Sequence, residues 1–254
     1  MRRVTTLLCA GALLMTGVAC SDDDDDASSS EETSSTTTTS TPEPDGPKDI
    51  AGFGFDAQLE PGTYFMDPDL DPSTPLRVTF EIAAEGWSGG VGGPAKFNPA
   101  GHTGLAFINV DNLVTDACED PAPQDPPVGP TVDDLATALS ELSPFEATEP
   151  PTDVSLLGYQ GKHLKISVPD LEVRGSGDTA EYADCVNGNM HSWIEPGADE
   201  PFFGYNAEPG RYDEYWILDV DGTRVMIAMN SSPAMPAQEL AEAEAIIDSI
   251  QFES

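Results

Sequence analysis

The chain has 254 residues, with 46 acidic side chains against 10 basic ones and a net charge of -36. A surface this negative repels nucleic acid and anionic lipid headgroups, so no nucleic-acid partner is expected. A habitat in high salt and a generic acidity account for the charge equally well.

Residues 1–19 open with Arg2 and Arg3, run through the apolar "LLCAGALLMTGVA" and end on small residues before Cys20. This is the layout of a secretory signal, too short to stay as a spanning helix. Plain positive flanking explains Arg2 and Arg3 better than a twin-arginine signal, because Thr5 and Thr6 stand where apolar residues belong. Val18, Ala19 and Cys20 resemble a bacterial lipobox, although Gly17 replaces its usual leucine. The resemblance implies a lipid, palmitate included, on the Cys20 thiol and an anchor in the cell membrane on its extracytoplasmic face. The alternative is an ordinary cleaved signal followed by a chance cysteine.

From Cys20 to residue 47 the chain is acidic and rich in Ser and Thr, with almost no apolar side chains. Such a segment cannot bury enough surface to offset the entropy of ordering, and it reads as a disordered tether with a root-mean-square reach of about 30 Å. Ser21–Pro47 holds nine acids and no base, and Arg2, Arg3 and Lys48 also fall outside the segment beginning at Asp49. That segment keeps 37 acids against seven bases, about -30, and residues 48–254 are enough for one domain with one sizeable core.

Within it, "TPLRVTFEIAAEGW" alternates apolar positions at Leu76, Val78, Phe80 and Ile82, the period of a half-buried strand, and "GLAFINV" reads as a second strand. After the break at "DPPVGP", "TVDDLATALSEL" offers Thr131 as an N-cap, acids in the first turn, and Leu135, Leu139 and Leu142 on one helical face. Past "ATEPP", the segments "DVSLLGY" and "GKHLKISVP" read as strands, the latter alternating at Leu164, Ile166 and Val168. In "YWILDVDGTRVMIAM", Asp221 and Gly222 form the two-residue turn of a hairpin. The C-terminal "MPAQELAEAEAIIDSIQF" is a helix, apolar at Leu240, Ala243, Ile246 and Ile247, with a short strand as one way for it to end. The expected fold is α+β, an antiparallel sheet with two packed helices.

The order "GTY", "GW", "TVDDLATAL", "VSLLGYQGKHLKISVP", a late Cys and Trp, "WILDVDGTRVMIAM" and "AIIDSIQF" resembles secreted lipoproteins of actinobacteria. Their layout is similar to the PsbP-like fold of the LpqN-type mycobacterial lipoproteins. The resemblance spans roughly residues 60–252 and rests on hydrophobic pattern, so it implies the fold and no mechanism.

Cys9 leaves with the signal and Cys20 carries the lipid, so Cys118 and Cys185 are the two thiols left in an oxidising compartment, and a disulfide between them is expected. A reduced pair is the other reading, and a metal site lacks ligands at usual spacing.

"GWSGG" matches a serine-nucleophile elbow at Gly86, Ser88 and Gly90, with His191 as a later base, but the glycines and proline of "VGGPAKF" oppose the helix an elbow needs. A glycine-rich connecting loop is the plainer reading. "DPDLDP" spaces Asp67, Asp69 and Asp71 as calcium loops do, yet Pro72 and Val78 stand where an EF-hand wants Gly and Glu. "GYQGKH" has Gly161 and Lys162 without the rest of a phosphate loop. "PFFGYNAEPGRYDEYW" gathers Phe202, Phe203, Tyr205, Tyr212, Tyr215 and Trp216, the material of a binding surface, although ordinary core plus one apolar loop explains them too.

The leading reading is a membrane-anchored extracytoplasmic lipoprotein with a non-catalytic binding or accessory domain. It calls for no cofactor, and its partner is a small molecule, an envelope component or a protein. The rivals are an envelope hydrolase using Ser88 and a calcium-stabilised module. A domain near -30 repels itself, and the Debye length falls from about 10 Å at 0.1 M salt to about 3 Å at 1 M. The melting temperature of the domain is therefore expected to rise with sodium chloride over that range, and a flat or falling curve contradicts the repulsion argument.

Overall fold

The structure, a computed structural model, describes residues 46–54, 57–90, 92–176, 179–198, 204–205 (backbone only) and 208–253. Cys20, expected to carry a lipid, the segment expected to be a tether as far as Asp45, Phe202 and Phe203 lie outside these residues.

In chain order the strands are β1 Lys48–Asp49, β2 Ala57–Gln58, β3 Gly62–Met66, β4 Arg77–Ile82, β5 Trp87–Gly89, β6 Ala95–Asn98, β7 Gly101–Ile108, β8 Asn112–Asp116 and β9 Asp120–Pro123. Helix α1, Val132–Ser140, follows, then β10 Glu146–Leu156, β11 Tyr159–Ser167, β12 Val173–Arg174, β13 Glu181–Tyr182, β14 Met190–His191, β15 Trp193–Ile194 and β16 Gly204–Tyr205. The chain closes with β17 Tyr212–Val220, β18 Thr223–Ser231, helix α2 Ala237–Asp248 and β19 Gln251–Glu253.

Eight of these strands form the central antiparallel sheet, in the order β10-β11-β17-β18-β7-β6-β5-β2. Side chains alternate across it, so each middle strand feeds two cores. Ala106, Ile108, Tyr215, Ile217, Met226 and Ala228 meet Leu135 and Leu139 of α1 on one face, while Leu105, Phe107, Leu218, Val225 and Ile227 face the other way. There they meet Tyr64, Val78, Phe80 and Ile82 of a second sheet, ordered β1-β3-β4-β19, and Ala243, Ile246 and Ile247 of α2.

The expectation of an α+β domain with one sheet and two packed helices is therefore corrected. The domain is β-rich and built from several sheets, with only two α-helices among the described residues. Two-faced burial is the physical reason. One face of the large sheet is covered mainly by other strands, where two helices on a single sheet had been expected.

Local expectations fare better. Thr131 and Asp134 close a capping box at α1. Asp221 and Gly222, at φ 51° and 90°, turn β17 into β18. After α2, β19 returns to pair with β4. "ATEPP", which separates elements in the sequence pattern, instead begins the edge strand β10, where Pro150 and Pro151 fall within shifts of register and cost no central ladder bond. "GWSGG" is not a connecting loop either, since Trp87–Gly89 is strand β5 of the large sheet. Cys118 and Cys185 are joined, 67 residues apart, at the edge of the α1 core.

Candidate functional site

Three segments meet at the turn end of the central sheet. The N-terminus of α1 brings Pro130–Asp133, the β10–β11 hairpin brings Asp153 and Gln160–Lys162, and the β17–β18 hairpin brings Asp219, Gly222 and Arg224. They enclose a cleft of about 510 Å³, within the size range of small-molecule sites. A shallower recess of about 410 Å³ adjoins it across Pro130, Gly222 and Arg224.

Lys162 stands between two carboxylates, 2.9 Å from Asp133 Oδ1 and 2.7 Å from Asp153 Oδ1. Its hydrogen bonds to Asp153 and Asp133 raise the ammonium above its ordinary pKa, and Asp153 is lowered in return. Both acids are open to solvent, with 74% and 92% of their side-chain surface exposed, so the arrangement is set by position more than by strength. Arg224 is spent elsewhere. It donates through Nη1 to the carbonyls of Gly129 and Thr131 and through Nη2 to Val110 at 2.8 Å, and burial lowers its pKa. Its Nε is buried without an acceptor, a cost that the three carbonyl bonds offset.

The cleft therefore holds more acceptors than donors. Asp219 Oδ1 takes the Gly222 N–H at 2.8 Å, and Asp134 is committed to the Thr131 cap. Among the described residues, Asp133, Asp153 and Asp219 each use one oxygen in these bonds and keep the other for a further donor. The second glycine of "GYQGKH" has a packing role: a Cβ at Gly161 would lie 2.1 Å from the Ile217 carbonyl oxygen.

Sequence reasoning had singled out "TVDDL", "GYQGKH" and "DVDG" for separate reasons, and the fold brings all three to this cleft. No motif in the sequence marks Asp153 or Arg224, and Lys162 stands in an incomplete phosphate-loop pattern. The available signal was scarcity, since a base is the informative residue in a domain with eight of them.

The other candidate residues are dispersed. Tyr212 and Trp216 lie on one face of β17, away from buried Tyr215, and β11 covers them with its own side chains. Lys165 sits 3.8 Å over the Tyr212 ring, His163 lies 5.2 Å from Trp216, and Glu214 between them takes His163 at 2.7 Å. This is a self-satisfied cross-strand network. Tyr205 is in β16.

Ser88 is 4% exposed within β5 and donates to the Ala95 carbonyl at 3.1 Å, which is the geometry of a strand residue and not of an exposed elbow. Asp69 and Asp71 each accept the backbone N–H two residues on, and Asp67 pairs with Arg77 at 3.4 Å. The oxygens of Asp69 and Asp71 serve the turn, and among the described residues no group of three or more His, Cys, Asp or Glu is placed to hold a metal.

Compared with known proteins, the chain matches no family model and no curated protein. Gly161→Ala tests the cleft's packing: forcing a methyl against the Ile217 carbonyl is expected to cost about 1–3 kcal/mol, read as a lower urea midpoint with an unchanged slope. An unchanged midpoint contradicts the close approach.

Proposed function

We propose that this chain is a lipoprotein anchored through Cys20 on the extracytoplasmic face of the cell membrane, and that its domain is a non-catalytic binding module. The cleft at the turn end of the central sheet is its ligand site. The ligand class is a small organic cation rich in N–H donors, an amine or a guanidinium.

The observation that carries the ligand class is the acceptor surplus. Lys162 and Arg224, the bases of the cleft, are already engaged by protein oxygens, while Asp133, Asp153 and Asp219 each keep an oxygen to offer. An ammonium already sits between Asp133 and Asp153, so the carboxylate spacing suits that group. The net charge of the domain attracts cations at long range. The anchor reading rests on Cys20 after small residues, the acidic Ser and Thr tract behind it and the likeness to actinobacterial secreted lipoproteins.

Two measurements test this reading. Cys20→Ala is expected to move the protein from the membrane fraction into the medium or to leave an uncleaved precursor, and lipid partition equal to the parent contradicts the anchor. Cadaverine, at ionic strength matched with sodium chloride, is expected to raise the melting temperature, by an amount equivalent to about 2.7 kcal/mol at a hundred times its Kd. Asp219→Asn, which keeps the bond to Gly222, is expected to reduce that effect. Equal responses to cadaverine and sodium, or an undiminished response in the variant, would refute the cleft as a cation site.

A further inference from the structure

At the opposite end of the central strands, His102 of β7 faces two oxygens with one ring nitrogen. Its Nδ1 lies 3.2 Å from Ser232 Oγ and 3.4 Å from Glu208 Oε2. We propose that His102 is a proton-operated switch that accepts from Ser232 when neutral and donates to Glu208 when charged, coupling acidity to the turn that leads into β17.

The hydrogen-bond inventory separates the two states. Ser232 Oγ already accepts the backbone N–H of His102 at 2.8 Å, so its own hydrogen is free to be donated. A neutral ring with a bare Nδ1 can take it. Protonation fills that lone pair, and the ring then has only donors, for which the Glu208 carboxylate is the stronger partner. Because the hydroxyl and the carboxylate share Nδ1, they cannot act with His102 as a nucleophile-base-acid relay, which needs both ring nitrogens.

Among the described residues, charged and polar groups from several elements surround the ring. Arg211 and Asp213 form an ion pair 4% and 2% exposed, and Asp213 also accepts the Tyr215 hydroxyl at 3.0 Å. Asn230 of β18 stands beside the ring and favours its charged form, and Phe97 of β6 stacks on it at 5.8 Å. From α2, Glu239 reaches Asn98 beside Phe97. Burial and Arg211 favour the neutral ring, outweighing the pull of Glu208, Asp213 and Asn230, so the folded pKa lies below the ordinary 6.5. A base lowered in this way leaves its contribution to stability intact above 6.5, and that contribution is lost as pH falls from there through the folded pKa.

Two fixed features make the movement of Glu208 readable. Its backbone N–H donates to the Tyr182 hydroxyl at 2.9 Å, and its carbonyl accepts the Arg211 N–H at 3.2 Å. Gly101, at φ 134°, allows Ser232 to lie this close, since a Cβ there would stand 2.2 Å from Ser232 Oγ.

The test is an NMR titration of the full chain between pH 8 and pH 5, with His102→Asn assigning the ring among the three histidines. At pH 8 the ring is expected to carry its proton on Nε2, and the amides of Glu208 and Arg211 should titrate with it. Ser232→Ala removes support for the neutral ring and should raise the His102 pKa. Glu208→Gln removes support for the charged ring and should lower it. Shifts of opposite sign establish the switch, and Glu208→Gln alone decides if Ser232→Ala does not fold. Shifts of the same sign, an unmoved pKa in Glu208→Gln, or a proton already on Nδ1 at pH 8 would overturn it.

Discussion

Strands β7, β17 and β18 must be apolar on both faces, because the central sheet has a core above it and another below. Phe107 packs on Phe80 of the second sheet at 4.9 Å, while its neighbours Ala106 and Ile108 belong to the α1 core. The same division runs through Ile217 and Leu218 and through Met226 and Ile227. A strand of this kind has no tolerance for slipped register, since one step would exchange the two cores along its whole length. The β17–β18 turn at Asp221 and Gly222 holds that register from one end.

Polarity is consequently driven to the strand ends. Between the pairs Val220–Thr223 and Tyr212–Ser231 the two strands run for about eight residues, roughly 26 Å. At the turn end, Asp219, Gly222 and Arg224 help to form the acceptor-rich cleft. At the other end, Arg211, Asp213 and Ser232 surround His102. The rigid apolar middle fixes both groups of polar side chains without taking part in either.

What was legible in the sequence is what adjacent residues decide. The turn at Asp221 and Gly222, the Thr131 cap and the apolar face of α1 each have a local cause, and the Cys118–Cys185 bridge followed from counting. Long-range pairing left no such mark. Two-residue strands such as β2, and the return of β19 to β4, are stabilised by partners far away in the chain. "GWSGG" reads as a loop on its glycines, yet in the fold Gly89 makes room for Leu59, whose side chain would stand 2.9 Å from a Cβ there. The cleft was hidden for a similar reason: Asp133, Lys162 and Arg224 come from three separate segments, and only the closing of the sheet brings them together.

Two-faced burial of the middle strands is the claim on which the rest depends, and native-state hydrogen exchange of the full chain measures it most directly. The amides of β7, β17 and β18 are expected to exchange slowest, at rates set by global unfolding, with the edge strand β10 and the second sheet opening earlier. Exchange in those three strands as fast as in β10, or a second sheet that outlasts them, would contradict the account.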